Sequence, residues 1–191
     1  TKRYVEYMEK FWEDVDEPED AFFVDCGLTY DGSPATTISG LDHLEGETVA
    51  ILADGAAHPE RVVSGGQVTL DYAASKVHVG LPMVSEAQTL RIDAGAADGT
   101  AQAKTKRIHR VAMRVHRTLG LKVGRDFDHL NEVTFRRTSD EMDGPTPLFS
   151  GDVEVPWEGA YDTEGHVCWR QDQPLPGMIL AVIPQLVTQD R

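Results

Sequence analysis

The chain has 191 residues and carries 32 Asp and Glu against 18 Lys and Arg, a formal charge of −14. Such acidity argues against a protein that grips nucleic acid through phosphate contacts, because those contacts need a basic surface. No apolar run approaches the roughly 20 residues of a membrane-spanning helix, and no signal peptide is visible.

The first 20 residues allow two interpretations. One is a helix, whose apolar stripe would comprise Tyr4, Met8, Phe11, Trp12 and Val15. The other is a strand through Val5 and Tyr7 that leads into a loop. The acidic stretch Glu13–Asp20 is typical of a linker. We therefore expect residues 1–19 to be a linker or the remnant of a preceding domain.

Turn signals divide the rest of the chain into short strands. Asp-Gly pairs occur at 31–32, 54–55, 98–99 and 143–144, and Gly65-Gly66 adds a fifth signal. These residues supply the positive φ angles of two-residue hairpin turns. The predicted strands are Phe22–Cys26, Thr48–Ala53, Arg61–Val63, Gln67–Leu70, Val77–Leu81, Gln88–Ile92, Asn131–Phe135, His166–Arg170 and Met178–Val187. Their spacing predicts an antiparallel all-β fold, a sandwich or barrel-like domain.

One segment, Arg107–Val123, fits two periodicities. A helix would place on one face Ile108, Val111, Val115 and Leu119. A strand would make its odd positions apolar from Val111 onward, apart from Arg117, and its even positions polar. Period two accounts for more positions and no N-cap opens a helix, so we predict a long strand bent near Gly120.

Positive charge is concentrated in the same part of the chain. Gly99–Arg125 contains eight basic residues and no Asp or Glu. The simplest interpretation is a solvated strand face, but such a face can also meet the acidic surface of a neighbouring identical chain. The residues predicted to form this subunit interface are Lys104, Lys106, Arg107, Arg110, Arg114 and Arg117. Nucleic-acid binding is a third possibility, disfavoured because no aromatic residues are interleaved with the basic ones.

Signatures of catalytic and metal sites are absent from the sequence. There is no phosphate-binding glycine loop, dinucleotide-binding fingerprint or nucleophile elbow. The segments His43–Glu47 and Asp162–His166 alternate possible metal ligands, and Asp126–Glu132 faintly resembles a calcium loop. None has the ligand number or spacing of a known site. We expect solvated turns, with no metal and no cofactor.

The two cysteines, Cys26 and Cys168, cannot form a framework of several disulfides. They suit a reducing compartment, with a single bridge as the alternative. Cys168 lies two residues from His166, which would place both on one face of a strand, as in a thiol nucleophile and its base. The apolar sequence around Cys168 and the lack of an orienting Asn or Asp favour a structural thiol.

Two alternative functions rest on residues outside the basic segment. Trp157, Tyr161 and Trp169 lie near predicted loops, where aromatic rings can stack on sugars, so a carbohydrate-binding, adhesin-like β module is one alternative. A metal-dependent hydrolase that uses His43, His166 and nearby acids is a weaker one.

Several sequence runs together resemble a known family. They are DAFFVDCGLTYDG (20–32), PATTISGLDHLEGE (34–47), VAILADG (49–55), VVSGGQVTL (62–70), VHVGLP (77–82), PLFSGD (147–152) and QDQPLP (171–176). These runs resemble the C-terminal region of the hub, nozzle or stabilisation proteins of tailed-bacteriophage tails. The resemblance extends over most of residues 20–188.

The resemblance implies a structural virion protein with no catalytic activity. Such a protein forms a homo-oligomeric ring beneath the portal, contacts other tail or portal proteins, and conducts DNA without binding it specifically. The resemblance also implies that the chain is the C-terminal part of a longer polypeptide, made in the cytoplasm of the host bacterium, with no membrane partner.

The same resemblance implies a division into domains. Members of the family carry a small β-barrel likened to the FCCH barrel of ubiquitin-activating enzymes, and residues 40–82 match it. We expect 40–82 to be this inserted barrel, and 20–39 plus 83–191 to be the main β domain. The expected barrel core comprises Leu52, Val62, Val68, Leu70, Val77 and Val79.

Overall fold

The structure is a computed structural model that describes residues 3–13, 16–93, 100–102 and 104–189. Its regular elements are almost all strands in antiparallel sheets, which confirms the predicted all-β class. Two single-turn 3₁₀ helices, Pro18–Asp20 and Asp42–Leu44, complete the described elements. The strands are β1 (Val24–Ser39), β2 (Thr48–Ala53), β3 (Ala56–Val62), β4 (Gln67–Pro82), β5 (Ser85–Gln88), β6 (Thr105–Thr118), β7 (Leu121–Gly124), β8 (Leu130–Glu132), β9 (Phe149–Val155), β10 (Tyr161–Asp162), β11 (Cys168–Gln171) and β12 (Met178–Gln189).

The chain forms two compact units. Unit 1 comprises Thr1–Val84, Arg136–Leu148 and Asp172–Pro176; unit 2 comprises Ser85–Phe135, Phe149–Gln171 and Gly177–Arg191. Unit 1 contains one sheet, in the order β1-β4-β2-β3. Unit 2 contains two sheets, one in the order β5-β11-β7-β8 and one in the order β10-β6-β12, with β9 also paired to β6.

The first strand belongs with residues 40–82. β1 and β4 pair from Val24 opposite Pro82 to Ser39 opposite Gln67, so a main-chain ladder joins them over most of their length. The sequence analysis predicted instead that residues 20–39 form one domain with residues 83–191. The difference arises because β4 is one strand of 16 residues, not the two short strands that the turn signals indicated, and its whole length is available to β1.

The core of unit 1 contains most of the expected residues. Val68 and Val79 are buried, as predicted, and so are Leu52, Leu70 and Val77. Val62 is the exception, being 59% exposed, while Val63 is buried in its place. The pairing of β3 with β2 contains an irregularity opposite Val49–Ile51, and an extra residue there reverses which side chains point inward.

Two of the predicted turns have the backbone that a tight hairpin needs. At 54–55, between β2 and β3, φ is +47° and +78°; at 65–66, between β3 and β4, φ is +64° and +68°. Both pairs match the positive φ angles of a two-residue hairpin turn. The pair at 31–32 instead lies within β1, and the pair at 143–144 lies in a loop, while 98–99 falls outside the described residues.

The segment predicted as one strand bent near Gly120 is extended, as expected, but it forms two strands, β6 and β7. They belong to different sheets and lie on either side of Gly120, whose φ is +70°. Residues 3–13, in contrast, form neither the helix nor the strand that the sequence allowed. Tyr4 packs against the unit 1 core, whereas Val5 and Tyr7 are fully exposed, and Val15 lies outside the described residues.

Candidate functional site

The strand that carries the basic residues is the centre of a sheet in unit 2. β6 is flanked by β12 on one side and by β9 and β10 on the other. Cross-strand partners point to the same side of an antiparallel sheet, so three columns of side chains share its solvent-exposed side, which we call the outer face. The outer face contains Arg107, Arg110 and Arg114 from β6, Asp152 and Glu154 from β9, and Met178, Ile183 and Val187 from β12.

Lys106 does not belong to the outer face. The pairing of β6 with β12 skips His109, between Ile108 and Arg110. Such a bulge reverses the alternation of inward and outward side chains. Lys106 therefore points inward and is 1% exposed, and its Nζ donates a hydrogen bond to the Ile92 carbonyl at 3.0 Å. Contrary to the sequence prediction, this side chain is not available to a neighbouring chain.

The other predicted interface residues fall into two groups. Arg107 is exposed, and its guanidinium carbon lies 5.7 Å from the ring centroid of Tyr161. Lys104 precedes β6 and is half-buried. Arg117 is also half-buried, near the end of β6, where it has a φ of +46° and its backbone N–H donates to Ser150 Oγ. Only Arg107 of these three presents its charge on the outer face.

Both remaining arginines pair with acids of the same chain. Arg110 donates to Glu154 at 2.8 Å, and Arg114 donates from Nε and Nη2 to the two oxygens of Asp152, at 2.7 and 2.9 Å. The bidentate bond to Arg114 lowers the pKa of Asp152, and Asp152 in turn raises the pKa of Arg114. The basic strand is therefore balanced by β9, and a neighbouring chain would have to compete for these arginines.

The third column of the outer face is apolar and lies at the edge of the sheet. In the described part of the chain, β12 pairs only with β6. Met178, Ile183 and Val187 are 46%, 40% and 46% exposed, and Leu180, at an irregularity in the pairing, is 59% exposed. The apolar run Met178–Val187 predicted the strand, and Pro184 within it indicated an edge strand or a bulge; the structure places β12 at the edge.

Unit 2 also contains a cavity of about 420 Å³. Its lining includes Trp157 and Tyr161, two of the three aromatic residues suspected of sugar binding, whereas Trp169 is not part of it. Lys106 and His166 contribute to the same wall. No sequence pattern indicated that Lys106 lines this cavity, or that Trp157 lines it while Trp169 does not.

The suspected metal-binding segments instead form hydrogen bonds within each unit. The Glu45 carboxylate accepts the N–H groups of Gly65 and Gly66, and His43 Nε2 lies 2.9 Å from the Cys26 carbonyl. The Glu45 bonds fix the turn between β3 and β4, and the His43 contact joins this segment to β1.

The two suspected metal-binding segments of unit 2, Asp126–Glu132 and Asp162–His166, likewise form hydrogen bonds and ion pairs. Asp126 accepts bonds from the Asp128 N–H and the His129 ring. Glu164 pairs with Arg91 and lies 3.4 Å from His166. His166 and His43 belong to different units.

Both cysteines are buried free thiols. Burial and a hydrogen bond to Glu6 raise the pKa of Cys26 to about 12, and burial raises the pKa of Cys168. Among the described residues, Glu6, Asp25 and Cys26 bring three possible metal-ligand atoms within 4.8 Å of one another. The Cys26 thiol donates to Glu6 at 3.2 Å, so these side chains form a hydrogen-bonded cluster.

Comparison with known proteins gives no assignment: no protein-family model and no curated protein matches the chain. No helix in the part of the chain that the structure describes has the length and apolar character needed to cross a membrane.

Proposed function

We propose that this chain is a structural, non-enzymatic component of a bacteriophage tail, of hub or nozzle type, and that it assembles into a homo-oligomeric ring which conducts DNA. The tail assignment rests on the sequence resemblance of residues 20–188. The assembly rests on one feature of the molecule, the exposed apolar edge strand β12.

An exposed strand edge is a template for pairing with another chain. β12 is 12 residues long and has no fully buried residue, yet eight of its residues are aliphatic or Met. Natural proteins protect such edges with charges, bulges or covering segments because long apolar edges associate. β12 carries no charged residue between Met178 and Gln189. These properties support an intermolecular contact along β12.

The partner we propose is a second copy of the chain, with β12 of one copy pairing with β9 of the next. β9 is the opposite edge of the same sheet: among the described residues it pairs only with β6. A contact between two different edges continues from copy to copy and can close a ring, whereas β12 against β12 closes a dimer. The same pairing brings the apolar column of one copy beside the ionic columns of the next.

The net negative charge of the chain is compatible with DNA passing along the protein without being bound by it. Outside Gly99–Arg125 the sequence has 18 − 8 = 10 basic residues against 32 acids. Arg110 and Arg114 are already paired with carboxylates. A conduit with this balance repels the phosphate backbone. We expect no retardation of duplex DNA by the protein at about 0.15 M salt, where non-specific binders retain affinity.

The experiment that tests assembly is light scattering after size exclusion, with electron microscopy of the same fractions. We expect ring-shaped particles for the natural chain and single copies of 21.1 kDa for a Leu180→Lys, Ile183→Lys double variant. Val62→Lys is the matched control, because Val62 is equally exposed but lies on β3 in unit 1. The proposal is overturned if the unsubstituted chain remains monomeric at high concentration. It is also overturned if the double Lys variant forms rings.

A second experiment tests the arginines. Arg110→Glu with Arg114→Glu should weaken assembly, but it also places two new carboxylates beside Asp152 and Glu154. The control is therefore a fourfold exchange, in which Asp152→Arg and Glu154→Arg restore both pairs. Because every copy carries the exchange, β9 of the next copy then presents arginines to the new glutamates, and we expect the exchanged variant to fold and to assemble normally. Normal assembly of the double Glu variant would refute an interface role for these arginines.

A further inference from the structure

A short segment before β1, residues 16–22, lies against an internal strand of the unit 1 sheet. It contains the single-turn 3₁₀ helix Pro18–Asp20, and we call it the strap. The strand beneath it is β4, which pairs with β1 on one side and with β2 on the other. Two main-chain ladders therefore fix β4, whereas the strap belongs to no sheet. Of the two elements, the strap is the one that can open locally.

Two side chains of β4 hold the strap in place. The ammonium of Lys76 donates to the Asp20 carboxylate. His78 Nε2 lies 2.9 Å from the Glu19 carbonyl, and the ring of Phe22 is perpendicular to the imidazole at a centroid distance of 5.3 Å. His78 is only 4% exposed. The strap therefore separates this imidazole from water.

The two ring nitrogens of His78 have partners that fit a neutral imidazole. A carbonyl can only accept, so Nε2 carries the hydrogen that is donated to Glu19. Nδ1 lies 2.8 Å from Thr29 Oγ1, and in the neutral ring it accepts the hydroxyl hydrogen. A second proton would turn Nδ1 into a donor, and the Thr29 hydroxyl would then lose its acceptor. The closed strap is therefore matched to the uncharged ring.

The surroundings of His78 also disfavour a charged ring. Burial lowers the pKa of His78 below 6.5, and repulsion by Lys76, two residues away on the same face of β4, adds to this effect. The carboxylates of Asp20 and Glu9 attract an imidazolium. However, Asp20 is already engaged by Lys76 and by the Glu17 N–H. An imidazolium beneath the closed strap is therefore poorly compensated, and water would stabilise it.

We propose that residues 16–22 are a proton-sensitive strap, and that protonation of His78 favours a state in which the strap leaves β4 while the sheet of unit 1 stays intact. The open state exposes two cationic side chains of β4, Lys76 and His78, to water. Closure is favoured at neutral pH and is weakened as the pH falls below about 6.5. The proposal is independent of the ring assembly, because all of its residues belong to unit 1 and none lies in β9 or β12.

The test is hydrogen exchange of the full chain, followed by NMR between about pH 7.0 and 5.5. The N–H groups of Asp20 and Ala21 bond to carbonyls within the strap and report its opening. Each exchange rate, divided by the intrinsic rate at the same pH, gives an opening constant. This constant should exceed that of β2 amides, which exchange by unfolding of the sheet. It should also rise up to about eightfold as the pH falls, the limit for one proton with a pKa near 6.5 in the open state.

Two histidine variants separate the proposed role from a structural one. His78→Gln retains an N–H donor for Glu19 but does not titrate, so its opening constant should not depend on pH. His58→Gln is the matched control, since His58 is 5% exposed and bonded through both ring nitrogens, but to Pro59 and Asp71 of unit 1 instead of the strap. This control should retain the rise.

A readout on the unsubstituted chain covers the case in which His78→Gln does not fold. The opening constant should level off at the pH where the ring signals of His78 titrate, because both states are then protonated. The proposal is overturned if the strap amides open no more often than those of β2, or if their opening constant changes by less than about twofold over this range. An equal rise in folded His78→Gln, or continued rise below the ring titration, also overturns it.

Discussion

Gly165 packs against the buried side chain of Lys106, so a substitution at this glycine should destabilise unit 2. Its φ is +63°, a left-handed conformation, and a Cβ placed there would lie 2.7 Å from Cδ of Lys106 and 3.2 Å from Cγ. Lys106 is 1% exposed and its Nζ donates to the Ile92 carbonyl, so a shift of its side chain, even into the adjacent cavity, breaks that hydrogen bond. Gly165→Ala should therefore suffer both backbone strain and overpacking.

The two costs can be separated with a matched glycine. Gly65 has almost the same φ, +64°, but nothing lies within 4 Å of its hypothetical Cβ. Left-handed backbone costs a residue with a side chain about 1–2 kcal/mol, which is the whole effect expected for Gly65→Ala. Displacement of Lys106, through overpacking and the loss of its hydrogen bond, adds about 1–3 kcal/mol. Gly165→Ala should accordingly lower the free energy of unfolding by about 2–5 kcal/mol.

The measurement is urea unfolding followed by far-UV circular dichroism for both variants. Tryptophan fluorescence adds a second signal, to which Trp157 and Trp169 of unit 2 and Trp12 of unit 1 contribute. The free energies of unfolding are compared at equal pH and salt. If Gly165→Ala destabilises its unit no more than Gly65→Ala destabilises the other, the described packing of Gly165 against Lys106 is wrong.

Three further predictions follow from burial. Burial lowers the pKa of His78 from 6.5, so below about pH 6.5 the unfolded chain binds a proton that the folded chain does not. The free energy of unfolding should therefore decrease as the pH is lowered through this range. A His78→Gln variant should show a smaller dependence of its urea midpoint on pH. An equal slope in the variant would contradict this. Ile51→Ala, in a fully buried strand position, should cost about 2–5 kcal/mol, whereas Val62→Ala should cost under about 0.5 kcal/mol in the same urea assay; similar costs would refute the assigned inward face of unit 1. Iodoacetamide at about pH 8 should leave Cys26 and Cys168 unmodified until urea is added, since burial raises the pKa of both thiols; mass spectrometry showing rapid native labelling would count against their burial.

The local pattern of the chain was sufficient for the class of fold and for several elements. Alternating apolar residues and Gly-based turns predicted the all-β class, the bounds of β2, and the bend at Gly120 between β6 and β7. These features depend on residues one or two positions apart, because strand alternation and two-residue turns are local properties of the backbone. The apolar character of β12 was visible for the same reason.

The candidate surfaces could not be predicted to the same extent. The bulge at His109 reverses the inward and outward positions of β6, and the sequence assigned Lys106 to the wrong side for that reason. The acids that pair with Arg110 and Arg114 lie 44 and 38 residues further along the chain. No local pattern indicates which distant strand will supply such a partner.

The sequence by itself determined that this is an acidic, antiparallel β protein with one concentrated basic strand. Only the tertiary structure decided that this basic strand is central and balanced by β9, and that Trp157 and Tyr161 line a common cavity while Trp169 does not. The physical reason is register. The composition of each strand is local, but a strand's neighbours and the side to which each residue points are set by long-range pairing and its bulges.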